Sequence, residues 1–211
     1  MINTFEEPVW ESAPVEALHN MSTYALNVPS FTALTGAILN MIRSQFADPN
    51  NIETTALKTL IWNKNEEETK IHINIGSAKE TSLSDGTPAI HITRGQCTSH
   101  TGGIIQDLTI TTSDNQFSVD PNKRCVFLEG MHTITCENTT GTSSEYLAEE
   151  VWRRLIRFAK RIQDDFYLMY FLPKTIPEQQ EKGDEANKKY LTTVAVHWQY
   201  MYKWQLSDEE K

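Results

Sequence analysis

Near the end of the chain, residues 188–204 read KKYLTTVAVHWQYMYKW, and from Tyr190 onward the even positions are Tyr, Thr, Val, Val, Trp, Tyr, Tyr and Trp. One side of the run is therefore entirely β-branched or aromatic, and a period of two over such a span specifies a β-strand. About fifteen residues at ~3.3 Å each would extend about 50 Å, whereas ordinary strands run ~5 to 6 residues. Any fold that contains this run needs a sheet with partners along it. Val194 and Val196 suit the core of that sheet. Trp198, Tyr200, Tyr202 and Trp204 continue the same face beyond the point where partners within the chain are expected to end. Tyr and Trp are favoured at interface cores, so these four are expected to form an assembly surface between copies.

The same period appears earlier. Ile71, Ile73 and Ile75 alternate with His72 and Asn74, and Ile90 and Ile92 with His91 and Thr93. IIQDLTITTS and KRCVFLEGMHTITCEN follow, separated by an expected turn at Asp120-Pro121-Asn122. Gly130 is expected to mark a bulge or bend. Four consecutive strands predict an antiparallel meander.

Helical spacing flanks these strands. Phe31, Leu34, Ile38, Met41, Ile42 and Phe46 recur on one face after Ser30, a plausible N-cap, and Ile52, Ala56, Leu57, Leu60 and Ile61 suggest a shorter helix ending near Trp62. The clearest helix is TSSEYLAEEVWRRLIRFAKRIQDDF, with Thr142 and Glu145 placed as a capping box. Leu147, Val151, Leu155, Phe158, Ile162, Phe166 and Met169 form its apolar stripe, which must lie on the sheet. Trp152 and Ile156 widen the stripe and call for a second partner, either the first helix or another subunit. Opposite lie Arg153, Arg157, Lys160 and Arg161 with Glu149, Glu150 and Asp164, expected to be a solvated face or one giving ion pairs between subunits.

These elements predict an α+β fold: a mainly antiparallel sheet of about five strands, with the long amphipathic helix and the N-terminal helix packed on one face. Residues 1–29, with Pro8, Pro14 and Pro29, read as an arm, 30–206 as a single α+β domain, and 207–211 as a C-terminal tail. The polar stretch 173–189 reads as a loop.

Composition narrows the chemistry. A net charge of -9 argues against a dedicated nucleic-acid binder, whose affinity rests on many neutralised phosphates. Three cysteines are too few for a disulfide framework, so a reducing compartment is expected. The acidic N-terminus lacks a signal-peptide pattern, and the longest apolar run, FYLMYFL, is too short to span a bilayer. Cys97 and His100 have the spacing of one zinc-ligand pair, with His91, Cys125, His132 and Cys136 as further candidates. A structural site usually shows two such pairs, so no metal is expected. No G-x-S-x-G elbow, H-E-x-x-H pair or Gly-rich phosphate loop occurs. No catalytic residue and no cofactor is expected.

The order of elements brings a family into view. A helical start, IHINIG, PAIHITRG, two more strands, the GTSSEYLAEEV opening of a long amphipathic helix and a final VAVHWQYMYKW strand together resemble tail terminator (tail completion) proteins of long-tailed bacteriophages, over about Phe31 to Trp204. The resemblance is one of pattern, and it implies no catalytic residues. It implies a homohexameric ring in the virion neck, assembled in the host cytoplasm, that caps the tail tube. Expected partners are further copies of the chain, the tail tube protein and head-side connector proteins, with DNA passing through the lumen unbound and no membrane. Other expectations are a connector, stopper or baseplate component and, from a different class, a small DNA-binding accessory protein.

Overall fold

The computed structural model describes residues 31–76, 86–99, 105–110, 117–174, 180–182 and 188–205, and their side chains except in 105–125, 182 and 203–205. Helix α1 spans Phe31–Phe46 and α2 Gly141–Asp165. The strands are β1 (His72–Ile75), β2 (Ala89–Ser99), β3 (Ile105–Ile110), β4 (Phe117–Asn138), β5 (Leu168–Pro173), β6 (Gln180–Lys182) and β7 (Lys189–Gln205). Two compact units are distinguished. One comprises the described residues within Pro29–Ile105 and Val126–Tyr202, and the other those within Gln106–Cys125 and Lys203–Lys211. Among the described residues no helix is long and apolar enough to cross a membrane.

The fold is α+β, with two helices on a sheet whose main path runs β1-β2-β4-β7-β5, while β3 pairs with β4 and β6 with β7 off that path. The sheet is mixed. β2 and β4 pair antiparallel, as do β7 and β5, but β1 runs parallel to β2, with Ile73 opposite Ile90. The meander expectation fails here for a physical reason: the stretch from Gly76 to Pro88 is long enough for the crossover that parallel neighbours require. Contacts Lys189–Glu137, Trp198–His132 and Gln199–Glu129 descend along β4 as they climb β7, so those two strands are antiparallel.

Both helices bury their apolar stripes in one cluster with the sheet. Leu34, Ile38, Met41, Ile42 and Phe46 of α1 and Leu147, Val151 and Leu155 of α2 meet Ile73, Ile90, Ile92, Ile134, Val194 and Val196. The expected second helix does not form. Pro49–Asn51 and Thr55–Leu57 are single 3-10 turns that drop Ile52 and Leu57 into the core. The backbone N–H groups of Glu53 and Thr54 instead donate to the Glu150 carboxylate at 3.0 and 3.1 Å. Glu150 is buried and also accepts from Gln45 Nε2 at 2.8 Å and Thr54 Oγ1 at 2.9 Å, so it joins α1, α2 and the loop between α1 and β1. The capping box is likewise displaced. The N-cap of α2 is Thr140, whose hydroxyl donates to Ser143 Oγ at 2.7 Å, and not Thr142 with Glu145.

The long strand expected from the sequence is present, and so are its partners. β4 is longer still, running through Asp120-Pro121-Asn122 where a turn was expected. On its other side β7 is served twice: Lys189–Leu191 pair with β6, inside the stretch read as a loop, and Val196–Tyr200 pair with β5, inside the run read as the end of the helix. The bulge expected at Gly130 lies instead on the facing strand, where Gly95 and Gln96 stand against Met131. Gly130 has a different reason to be glycine: a Cβ there would come within 2.6 Å of Cε2 and Cη2 of the Trp198 indole.

Gly130→Ala should therefore destabilise the fold by ~1 to 3 kcal/mol through overpacking. Urea unfolding measures this directly, and the loss should shrink in a Trp198→Leu background, where the ring that the methyl meets is gone. Equal losses in both backgrounds would remove the indole as the cause.

Candidate functional site

The aromatic run was expected to be an assembly surface, and the structure divides it. Trp198 is 1% exposed and lies in the core of its own chain. Its ring stacks on Phe31 of α1 with centroids 4.7 Å apart at 25°, and its Nε1 donates to His132 Nδ1 at 3.0 Å. Tyr200 is buried as well. These two residues cannot meet another copy without leaving the core, because β4 is long enough to support β7 through this region and β5 covers its other edge. Tyr202 is half-buried and packs at the margin of the core. Trp204 lies on β7, with its side chain outside the described residues.

His132 is the polar centre of this part of the core. A tryptophan N–H can only donate, so Nδ1 of His132 accepts and the neutral imidazole carries its proton on Nε2. That proton goes to Thr35 Oγ1 at 2.8 Å, and the Thr35 hydroxyl donates in turn to the Phe31 carbonyl at 2.9 Å. Every polar atom in the chain Trp198, His132, Thr35 is thereby satisfied, which is what makes a fully buried histidine tolerable. Burial, reinforced by the Arg94 charge, pushes the His132 pKa down to about 4.

On α2, Trp152 packs half-buried against the core, whereas Ile156 is exposed at 45%. The basic face forms ion pairs within the chain. Arg153 contacts Glu149 at 2.7 Å and Glu150 at 3.5 Å, Arg157 pairs with Glu53, Lys160 with Asp164 at 2.6 Å, and Arg161 with Asp165 at 3.6 Å. The i,i+4 order of Glu149 and Arg153 was legible in the sequence. The contact of Arg157 with Glu53 was not, because it depends on where the loop after α1 is held.

Among the described residues the zinc candidates do not converge. Cys97 is exposed, Cys136 is fully buried with its thiol pushed up by desolvation, and His132 spends both nitrogens on Trp198 and Thr35. His100 and the Cys125 side chain lie outside the described residues. Among the described residues no group of three or more His, Cys, Asp and Glu could hold a metal.

Exposed apolar side chains not expected from the sequence lie on β5 and the turn before it, Tyr167, Met169, Tyr170 and Leu172, and at Tyr146 and Ile75; Ile156 of α2, expected to seek a second partner, is exposed as well. The missed signal was the strand propensity of FYLMYFL directly after the Asp164-Asp165 pair.

The buried neutral imidazole predicts a pH dependence. Its folded pKa of about 4 lies below its ordinary value of 6.5, so its contribution is fully present above pH 6.5 and is lost as pH falls towards 4. The total loss is about 3 kcal/mol at ~1.4 kcal/mol per unit. Over that window the stability gap between wild type and His132→Leu should narrow by about this amount, as measured by urea unfolding at each pH. Parallel curves would rule out a buried neutral imidazole.

No protein-family model matches the chain, and no curated protein does.

Proposed function

We propose that the chain is a non-enzymatic structural protein of a bacteriophage virion, a tail terminator of the neck that acts as a homo-oligomeric ring, in the first instance a hexamer. The observation that carries this reading is the order of elements: α1, the strands β1 to β4, the long helix α2, then the short β5 and β6 and a terminal strand of unusual length beside an equally unusual β4. Apart from β5 and β6, that succession is the one through which the sequence resembles tail terminators. The ring would cap the tail tube and join it to the head-side connector. Surfaces left for contacts between copies include Ile156 and the half-buried Trp152 and Tyr202. A net charge of -9 suits a lumen through which DNA passes without being held. A connector, stopper or baseplate component would use the same kind of ring and differ in its neighbours. The small DNA-binding accessory protein is disfavoured, since Arg153 and Arg157 are already engaged by Glu53, Glu149 and Glu150.

Native mass spectrometry with negative-stain imaging tests the ring. The expected species is a closed ring of about six 24.1 kDa copies. A monomer in both measurements at working concentrations would remove the terminator reading. Duplex DNA should be bound weakly at ~150 mM salt, where exposed phosphate contacts are screened. Submicromolar, salt-resistant retention in a gel-shift assay would favour the DNA-binding alternative.

A further inference from the structure

β1 and β5 end the main path of the sheet, and their outer edges are finished differently. At β1, Arg43 of α1 donates from Nε and Nη2 to the Ile73 carbonyl at 3.1 and 2.8 Å, and its guanidinium lies 5.0 Å from the centre of the Trp62 ring. On that edge the Ile73 carbonyl is taken by the chain's own Arg43, while Ile75 at the strand's end is exposed at 53%. Among the described residues β5 pairs with β7 and with no other strand. Gln163 Nε2 covers the Met169 carbonyl at 2.8 Å. Beyond that the edge is apolar, with Tyr167, Met169, Tyr170 and Leu172 exposed at 66, 44, 37 and 51%. Edge strands are ordinarily blunted by charge or proline in their exposed middle, yet here the proline, Pro173, stands at the far end.

Two further observations bear on what covers this edge. Tyr167, between α2 and β5, is held at φ 52°. A bulky side chain there costs ~1 to 2 kcal/mol that glycine would not, and the ring is mostly in solvent. The second is charge. α2 ends on Asp164 and Asp165 with no basic residue in its last turn, although a helix C-terminus already carries partial negative charge. Lys160 and Arg161 pair with these aspartates from within the helix. At the opposite end of β5 stands the exposed Lys174. The strand is thus acidic at one end and basic at the other, and such a strand is complementary to itself when laid antiparallel.

We propose that β5 is a two-fold contact at which β5 of a second copy adds antiparallel, joining two sheets edge to edge. A register shift between Leu168 and Tyr170 interrupts the alternation of β5, which holds from Tyr170 to Pro173 and sets the register there. Leu168, Phe171 and Pro173 face the core, and Tyr170 and Leu172 face away. Pairing centred on Phe171 keeps Tyr170 and Leu172 on one face and uses the Phe171 backbone groups, which lie on the outer edge because the Lys174 N–H donates to the Ala195 carbonyl of β7. It sets Tyr170 opposite Leu172 of the second copy, an aromatic–aliphatic cross-strand pair, and brings Lys174 of each copy towards the acidic end of α2 of the other. The strand is short, so the dimer is concentration-dependent. The contact does not rest on the ring reading: a two-fold pairing closes on itself, whereas a ring requires head-to-tail surfaces.

Sedimentation velocity of the full chain over about a hundredfold range of concentration should show reversible dimerisation. Leu172→Lys should weaken it at least about tenfold, and so should Lys174→Glu, with Asp164→Lys plus Asp165→Lys restoring the latter. Thermal melts followed by circular dichroism check that each variant is folded. The register is read by cysteines in a Cys97→Ser, Cys125→Ser background. Tyr170→Cys mixed with Leu172→Cys should give a disulfide-linked dimer on mild oxidation, and neither variant alone should. A wild-type monomer at all concentrations, a mass unchanged by Leu172→Lys, or crosslinking equal in the single variants would overturn the contact. A ring formed alike by wild type and Leu172→Lys, with no concentration-dependent pairing that the substitution weakens, would leave the ring reading standing and sink this one. A dimer abolished by Leu172→Lys, with no ring in the wild type, would do the reverse.

Discussion

The burial of the Trp198 indole is the constraint on which much of the structure depends. An aromatic of this size removes ~150 to 250 Å² from water, roughly 4 to 6 kcal/mol as an upper bound. That gain is realised only if its N–H finds an acceptor and its ring finds room. His132 provides the acceptor and Gly130 the room, both on β4, and Phe31 of α1 closes the far face. Thr35 then completes the polar chain from α1. One side chain on β7 therefore dictates the identity of two positions on β4 and fixes how the first helix lies on the sheet.

Glu150 does comparable work on the other side of the core. A buried carboxylate is tolerable only when its oxygens are fully engaged, and here the donors are Gln45, the backbone of Glu53 and Thr54, and the Thr54 hydroxyl. The two amides lie just before the single 3-10 turn Thr55–Leu57, and through them the loop is held against α2. Glu53 is thereby placed where Arg157 and Arg153 reach it. The basic face of α2 is consequently part of the scaffold of the monomer, which lowers its value as a docking site for phosphate.

With Trp198 and Tyr200 committed to the core, the apolar surface available for assembly shifts to β5, Ile156 and the margin near Tyr202. The two edges of the sheet show the difference between a finished and an unfinished boundary: Arg43 over the Ile73 carbonyl at one end, Met169, Tyr170 and Leu172 in solvent at the other. The proposed pairing of β5 with a copy of itself would finish that second boundary.

The sequence by itself determined the helices and the strand periods. The 3.6-residue stripe of α1 and α2 and the two-residue alternation of β1, β2, β4 and β7 are local patterns that state which face is apolar, and the α+β class follows from them. The ion pair of Glu149 with Arg153 was legible for the same reason, since helix geometry alone sets the four-residue neighbour. What only the tertiary structure decided was where those faces and ends find partners. Whether β1 pairs parallel or antiparallel, whether Phe166 to Leu172 continues a helix or turns into β5, and whether Trp198 meets its own core or another copy all depend on residues far away along the chain: Ile90, Trp198's neighbours on β5, and Gly130 with His132. Periodicity reports that a face must be buried, but it carries no information about which distant surface will bury it.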